Sequence, residues 1–238
     1  MNRAYSKKSF AYTKKYFYER DLLIPHLAQT IKKLVIENKL KKVLDVGCGT
    51  GRLVKFLNSK GFVAFGCDSS SNAVRVARKL NNKLTIKLAS ATILPFKNNS
   101  FDLVTAISLI EHLTQNESKE FLKETRRILK PKGYIFLVTP NFATPLKIIQ
   151  GSKWFGYSDP THLTFYTPAS LKKILFKYNF KNAQTQFSID WRKSLNWEFP
   201  NKIASLPLFI KKLIVYLLFS SALSIIRNSF WMLAQKDG

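Results

Sequence analysis

Apolar positions fall into two periods along this chain, and the switches between them outline its elements. Leu23, Leu27, Ile31, Leu34 and Val35 recur at helical spacing and predict a helix over residues 20–38. Pro25 falls in its first turn, where a missing N–H does no harm. Val43, Leu44 and Val46 then read as a short buried strand, and residues 52–57 open a second helix. Residues 62–68 form a second strand that ends in a carboxylate, and Ser69-Ser70-Ser71-Asn72 supplies cap chemistry for a helix to residue 80. Residues 84–88 alternate as a third strand. Residues 101–109 are almost continuously apolar, as in the middle of a parallel sheet.

A helix over 116–129 follows, with Pro131-Lys132-Gly133 as its closing turn and residues 134–138 as the fifth strand. Residues 145–166 read as a loop region. Thr167-Pro168-Ala169-Ser170 caps a helix to residue 178, residues 182–189 form a sixth strand, and residues 229–235 form the last.

Between the first strand and the second helix, glycine stands at 47, 49 and 51. A turn of this kind lets a ligand lie against bare backbone, and the helix start beyond it presents unpaired N–H groups. The G-x-G-x-G spacing differs from that of dinucleotide folds. Asp68, seventeen residues past Gly51, stands where a carboxylate accepts hydrogen bonds from a ribose diol.

With Leu94-Pro95-Phe96 and Ser100-Phe101-Asp102-Leu103-Val104 following in order, residues 41–178 resemble the class I S-adenosylmethionine-dependent methyltransferases of the type 11-like group. The resemblance implies a Rossmann-like α/β/α sandwich with a seven-stranded, mostly parallel sheet and an antiparallel last strand. It implies S-adenosyl-L-methionine as cofactor, held by Asp45, Gly47, Cys48, Gly49, Gly51, Asp68, Ser69, Ser90, Ala91 and Ile107. Ser90 departs from the pattern, because the family has an acidic residue there against the adenine amino group. Serine accepts a hydrogen bond without charge, which shifts adenine recognition toward the backbone of Ala91.

The expected organisation is one methyltransferase domain: an N-terminal helical lid over 1–40, the cofactor core over 41–190, an apolar helical insertion over 200–228 and the last strand. An ordinary packing helix is the other reading of the basic, aromatic N-terminus. The family joins its last two strands by a tight hairpin, yet here about forty residues intervene. The apolar run 213–226 has fourteen residues, about 21 Å as a helix against a hydrocarbon core of about 30 Å, and so does not span. Two readings stand for it. As a monotopic element, residues 203–227 would meet an anionic membrane surface through Lys202, Lys211, Lys212 and Arg227. As a structural element, it would cover a sheet edge or form a homodimer contact.

Composition adds one strong fact: 39 basic against 14 acidic residues, a formal charge of +25. Such a field attracts nucleic acid, anionic lipid or a phosphorylated substrate, unless it reflects a lysine-rich background. Cys48 and Cys67 sit inside the cofactor motifs, at a spacing that fits neither zinc nor a secreted disulfide framework. No apolar h-region follows the basic N-terminus, so the expectation is a cytoplasmic protein without a signal peptide, peripheral at the inner membrane face if the insertion meets lipid.

Methyl transfer to oxygen benefits from a base poised near neutrality, which directs attention to the three histidines. His26 reads as a surface or packing residue. His112, just past the fourth strand, is placed near the methyl group, with a binding or a catalytic role. His162, three residues after Asp159, is the expected base, with Asp159 as its orienting partner; the alternative is that both fix the loop by turn hydrogen bonds. Trp154, Phe155, Tyr157 and Tyr166 suit stacking on a sugar or lipid chain, or on a nucleobase. The expected function is O-methylation of a small-molecule, glycan or lipid-linked acceptor. The competing readings are a transfer-RNA methyltransferase and a non-catalytic membrane scaffold on a degenerate fold.

Overall fold

A computed structural model of the chain describes residues 25–186, 206–207, 209–210 and 229–238. The part of the expected 1–40 lid before residue 25 and nearly all of the expected 200–228 insertion therefore lie outside the described residues, and no described helix is long and apolar enough to cross a membrane.

Seven strands form one sheet in the order β3-β2-β1-β4-β5-β7-β6. They are β1 (Lys42–Val46), β2 (Val63–Asp68), β3 (Ile86–Leu88), β4 (Phe101–Ile107), β5 (Leu129–Pro140), β6 (Phe180–Gln186) and β7 (Ser229–Lys236). The first five are mutually parallel. β7 inserts antiparallel between β5 and β6. Strand order reverses at the β1–β4 junction, so the carboxyl ends of those two strands open onto the crevice where such sheets bind ligands.

Helices cover both faces. α1 (Pro25–Glu37), α2 (Arg52–Ser59) and α3 (Ser71–Leu80) pack with Val43, Leu103, Phe136 and Trp231. α4 (Gln115–Ile128) and the helix over Pro168–Lys177 pack with Leu44, Val104, Ile135 and Phe230. Adjacent strand positions thus feed opposite cores, the period-two pattern of a sheet buried on both sides. Three short segments precede that last helix: α5 (Leu146–Gln150), a 3-10 turn (Gly151–Lys153) and α6 (Phe155–Ser158); the helix itself is α7. Thr114 with Glu117 and Thr167 with Ser170 form capping boxes for α4 and α7, each satisfying otherwise unpaired N–H groups.

One boundary differs in kind from expectation. Pro131-Lys132-Gly133 does not close α4, which ends at Ile128, but lies inside β5. The pairing with β4 jumps there, from Phe101 opposite Leu129 to Leu103 opposite Tyr134, which marks a bulge. A Cβ on Gly133 would sit 2.9 Å from the Lys130 carbonyl and 3.2 Å from that of Asp102. Glycine is needed because two backbones pass there. Residues 145–166, expected as loop, also carry the short α5, the 3-10 turn and α6. The remaining differences are of length: β3 starts at Ile86 and β4 stops at Ile107, while β6 begins at Phe180 and the expected end at 187–189 lies outside the described residues.

Candidate active site

Two groups of residues meet at the carboxyl ends of β1, β2, β4 and β5. The first is the glycine turn. Gly47, Gly49 and Gly51 have φ of 72°, 54° and 76°, the left-handed region that glycine enters without cost. Gly51 also lacks room, since its Cβ would fall 2.4 Å from Ile86 Cδ1. The N–H groups of Gly47 and Cys48 both donate to the Cys67 carbonyl at 2.8 and 3.0 Å. The Asp68 carboxylate accepts from Gly49 N–H at 2.9 Å and from Ser70 N–H at 2.8 Å. Buried Asp45 receives the Thr105 hydroxyl at 2.7 Å, so β4 fixes the side chain presented by β1.

Cys48 turns inward, its Sγ standing 2.7 Å from where a Cβ on Gly66 would lie. Burial first, then the Asp45 and Asp68 carboxylates, push the Cys67 thiol up to about 12. Both cysteines are free and buried. Ser90 is exposed, and its hydroxyl lies 2.8 Å from that of Thr92, while Ala91 beside it is buried. Ser69 is exposed and Ile107 half-buried at the end of β4.

The second group follows β4. Ser108 takes a φ of 49° and donates its N–H to the Val138 carbonyl, and the chain then makes a single 3-10 turn over Ile110–His112. Gly47 touches this turn, for its Cβ would be 3.0 Å from Leu109 Cδ1. Glu111 is buried and accepts the Thr139 hydroxyl at 3.0 Å. Burial first, and then the Asp159 carboxylate, raise its carboxyl to about 8, against the lowering effect of its own backbone N–H and the Thr139 and Ser108 hydroxyls.

The loop before α7 is pinned onto this turn. Leu163 and Thr164 N–H both donate to the Glu111 carbonyl, and the Thr164 hydroxyl donates to that of Leu113 at 2.7 Å. This brings His162 beside His112, with ring centroids 4.8 Å apart and planes at 58°. Asp159 accepts the Thr161 N–H at 3.0 Å and the Thr161 hydroxyl at 2.6 Å. Burial would raise the Asp159 carboxyl, but the two Thr161 hydrogen bonds and the adjacent His162 and His112 hold it below its ordinary value.

The expected orienting bond from Asp159 to His162 is replaced by another: His162 Nδ1 lies 2.7 Å from the Gly156 carbonyl. A carbonyl only accepts, so Nδ1 carries the proton and the lone pair is on Nε2. His112 Nδ1 lies 3.2 Å from the Thr161 carbonyl and 2.9 Å from its hydroxyl, which fixes the same tautomer. His26 is a packing residue, its ring 5.7 Å from that of Trp231. Glu111, Thr105 and Thr161 were not among the residues the sequence singled out. The proximity of Glu111 to His112 in the chain was the one available signal.

A family model described as a methyltransferase domain matches residues 16–185. The phosphoethanolamine N-methyltransferase of Plasmodium falciparum is 30% identical over 184 residues, covering 74% of this chain and 68% of that protein. A ubiquinone biosynthesis O-methyltransferase of Bartonella bacilliformis is 27% identical over 150 residues, covering 59% of this chain and 60% of the relative. A S-adenosylmethionine-dependent methyltransferase structure from Archaeoglobus fulgidus superposes with a TM-score of 0.63 at 19% identity, over 94% of this chain and all of the other. Curated relatives are matched over as little as 31% of their own length. The class I architecture and the family match agree, and this chain belongs to the methyltransferase domain family.

Proposed function

We propose that the protein is a S-adenosylmethionine-dependent methyltransferase that methylates an oxygen of a small-molecule, glycan or lipid-linked acceptor. The observation that carries the oxygen is the Glu111–His112–His162 cluster, set against the glycine turn through Leu109. A neutral amine loses its proton after transfer and needs little help, whereas a hydroxyl needs a group to take its proton.

The cradle fits the cofactor. Left-handed glycines leave the turn's backbone bare, and a Cβ at 47 or 51 would press on Leu109 or Ile86 and disturb the turn. Asp45, Gly47, Gly49, Gly51 and Asp68 would hold it, with Cys48, Ser69, Ser90, Ala91 and Ile107 around the adenosine. Asp68, at the end of β2 and bonded to the glycine turn, is the carboxylate that would accept from ribose hydroxyls. When bound, S-adenosylmethionine supplies an activated methyl group, so the chain's residues need only orient the acceptor, exclude water and manage one proton. His162 is half-buried, whereas Glu111 and His112 are buried, so it is the member an acceptor reaches first. In the simplest form of the step, His162 takes the hydroxyl proton at Nε2 while Gly156 holds its Nδ1 side.

Exposed Tyr157, Leu163 and Phe165 beside that histidine suit an apolar acceptor. The apolar run 213–226, bordered by Lys211, Lys212 and Arg227, supports a lipid-linked one at a membrane surface. The test uses methyl-labelled cofactor with host extract split into lipid, RNA and polar fractions. Label in a lipid or polar fraction, lost in His162→Ala, is the expected result. Label confined to RNA, which the charge of +25 would favour, overturns the acceptor class.

A further inference from the structure

Glu111, His112 and His162 come from two loops that meet only in the folded chain. A ring nitrogen of each histidine and a Glu111 carboxylate oxygen all lie within 4.8 Å of one another. We propose that these three side chains bind one divalent transition-metal ion of the zinc type, at the acceptor end of the site.

The donor set is the first argument. Two imidazole nitrogens and one carboxylate oxygen suit zinc and its neighbours, whereas calcium and magnesium take oxygen ligands throughout. Three protein ligands also leave a position open, as catalytic zinc sites do. The second argument is the surrounding shell. Metal-bound histidines characteristically donate their other ring N–H to a carbonyl or carboxylate, which fixes the tautomer. Here His162 donates from Nδ1 to the Gly156 carbonyl. His112 donates from Nδ1 to Thr161, whose hydroxyl in turn donates to Asp159 at 2.6 Å. Both rings therefore carry their lone pairs on Nε2, and a carboxylate stands behind one of them. Asp159, expected as partner of a base, serves this shell.

The third argument is charge. Glu111 is buried with hydroxyl and backbone donors around it and, among the described residues, no lysine or arginine paired to it. A carboxyl buried in this way keeps its proton until a cation arrives, and an ion bound by the two histidines would displace that proton and hold Glu111 as a ligand. Size is compatible as well. Donors at about 2.1 Å from a tetrahedral ion stand about 3.4 Å apart, so the cluster closes around an ion by side-chain rotations of about an ångström.

This inference rests on the O-methylation reading and changes one detail of it. With the ion in place, the acceptor's O–H bond breaks near neutral pH, the electron pair stays on oxygen and the proton passes to water. His162 then acts as a ligand and not as the base.

The full-length protein, stripped with a chelator, is titrated with Co2+ and then Zn2+, followed by the visible absorption of bound Co2+ and by calorimetry. One ion per chain is expected, with affinity lowered about 100-fold in His162→Ala and Glu111→Gln and about 10-fold or more in Thr161→Ala. S-adenosylhomocysteine binding in the same preparations verifies that each variant is folded. No uptake by the folded protein, or uptake unchanged in His162→Ala, overturns the metal site and leaves methyl transfer with His162 as base. Stoichiometric uptake weakened about 100-fold in His162→Ala supports it, even where no oxygen acceptor becomes labelled, an outcome that removes the O-methylation reading alone.

Discussion

The Asp68 carboxylate accepts the backbone N–H of Gly49 at 2.9 Å, tying the end of β2 to the middle of the glycine turn that follows β1. Its other oxygen takes the Ser70 N–H at the start of α3. One side chain thus shapes the turn before any ligand arrives, and pre-shaping lowers the ordering cost of binding. Asp68→Ala leaves two N–H groups without their acceptor. It is expected to lower stability by about 1–3 kcal/mol and to weaken S-adenosylhomocysteine binding at least tenfold. Urea unfolding and calorimetry on the same variant check both. Unchanged affinity would mean that the turn keeps its shape without this carboxylate.

Gly51 and Gly61 have similar left-handed angles, 76° and 84°, but different surroundings. A Cβ on Gly51 meets Ile86 at 2.4 Å and Leu84 at 3.2 Å, while one on Gly61 meets nothing within 4 Å. Gly61→Ala is expected to cost about 1–2 kcal/mol, the backbone term alone. Gly51→Ala adds displacement of Ile86 and Leu84, and because the turn itself shifts, cofactor binding falls as well. Comparing thermal unfolding and S-adenosylhomocysteine affinity of the two variants separates backbone strain from loss of the cradle. Equal losses in both would refute the steric argument.

The glycine turn and the five parallel strands were legible in the sequence because both signals are local: apolar runs broken by residues that only a turn tolerates. The bulge at Pro131-Lys132-Gly133 was not, because those residue types also end helices. Only the Asp102 and Lys130 carbonyls, brought close by pairing with β4, make Gly133 necessary. Glu111 was hidden for a related reason. Its environment depends on Ile107 pairing with Val138, which delivers Thr139 to the turn after β4. The three-residue spacing of Asp159 and His162 suggested a direct pair, but the short α6 segment carries the Gly156 carbonyl to His162 first.

Asp102 offers a pH test of the sheet's other end. It accepts from the Lys41 and Lys42 N–H groups at 3.1 and 2.8 Å and from Lys130 Nζ at 2.8 Å. Partial burial raises its carboxyl, but Lys130 and the two N–H groups outweigh that and hold it below the ordinary range. A folded-state value below the unfolded one means stability that is fully present above about pH 4 and lost as pH falls through the folded value. Asp102→Asn is expected to cost about 2 kcal/mol at pH 7. The gap between wild type and variant, measured by urea unfolding, should hold between pH 8 and about 5 and narrow below about 4. A gap that widened on acidification would contradict the assignment.

Arg127 carries the last prediction, because one guanidinium holds the segment between Ser90 and β4 in place. Its NH1 donates to the Phe96 carbonyl at 2.8 Å and to Asn98 at 2.9 Å, and its NH2 donates to the Leu94 carbonyl at 2.9 Å. Glu124, which pairs with it at 2.7 Å, reaches back to accept the Leu94 N–H at 2.7 Å. The Leu94-Pro95-Phe96 turn is therefore clamped to α4 from both its donor and its acceptor side. Lysine keeps the charge but lacks the planar fork that serves several acceptors at once. Arg127→Lys is expected to lose about 2 kcal/mol, close to Arg127→Ala, since both leave carbonyls unserved. The turn follows Ser90 and Ala91 after only Thr92 and Ile93, so the variant should also raise the KM for S-adenosylmethionine more than it lowers kcat. An Arg127→Lys protein with wild-type stability and KM would show that charge alone, and not the fork, secures this turn.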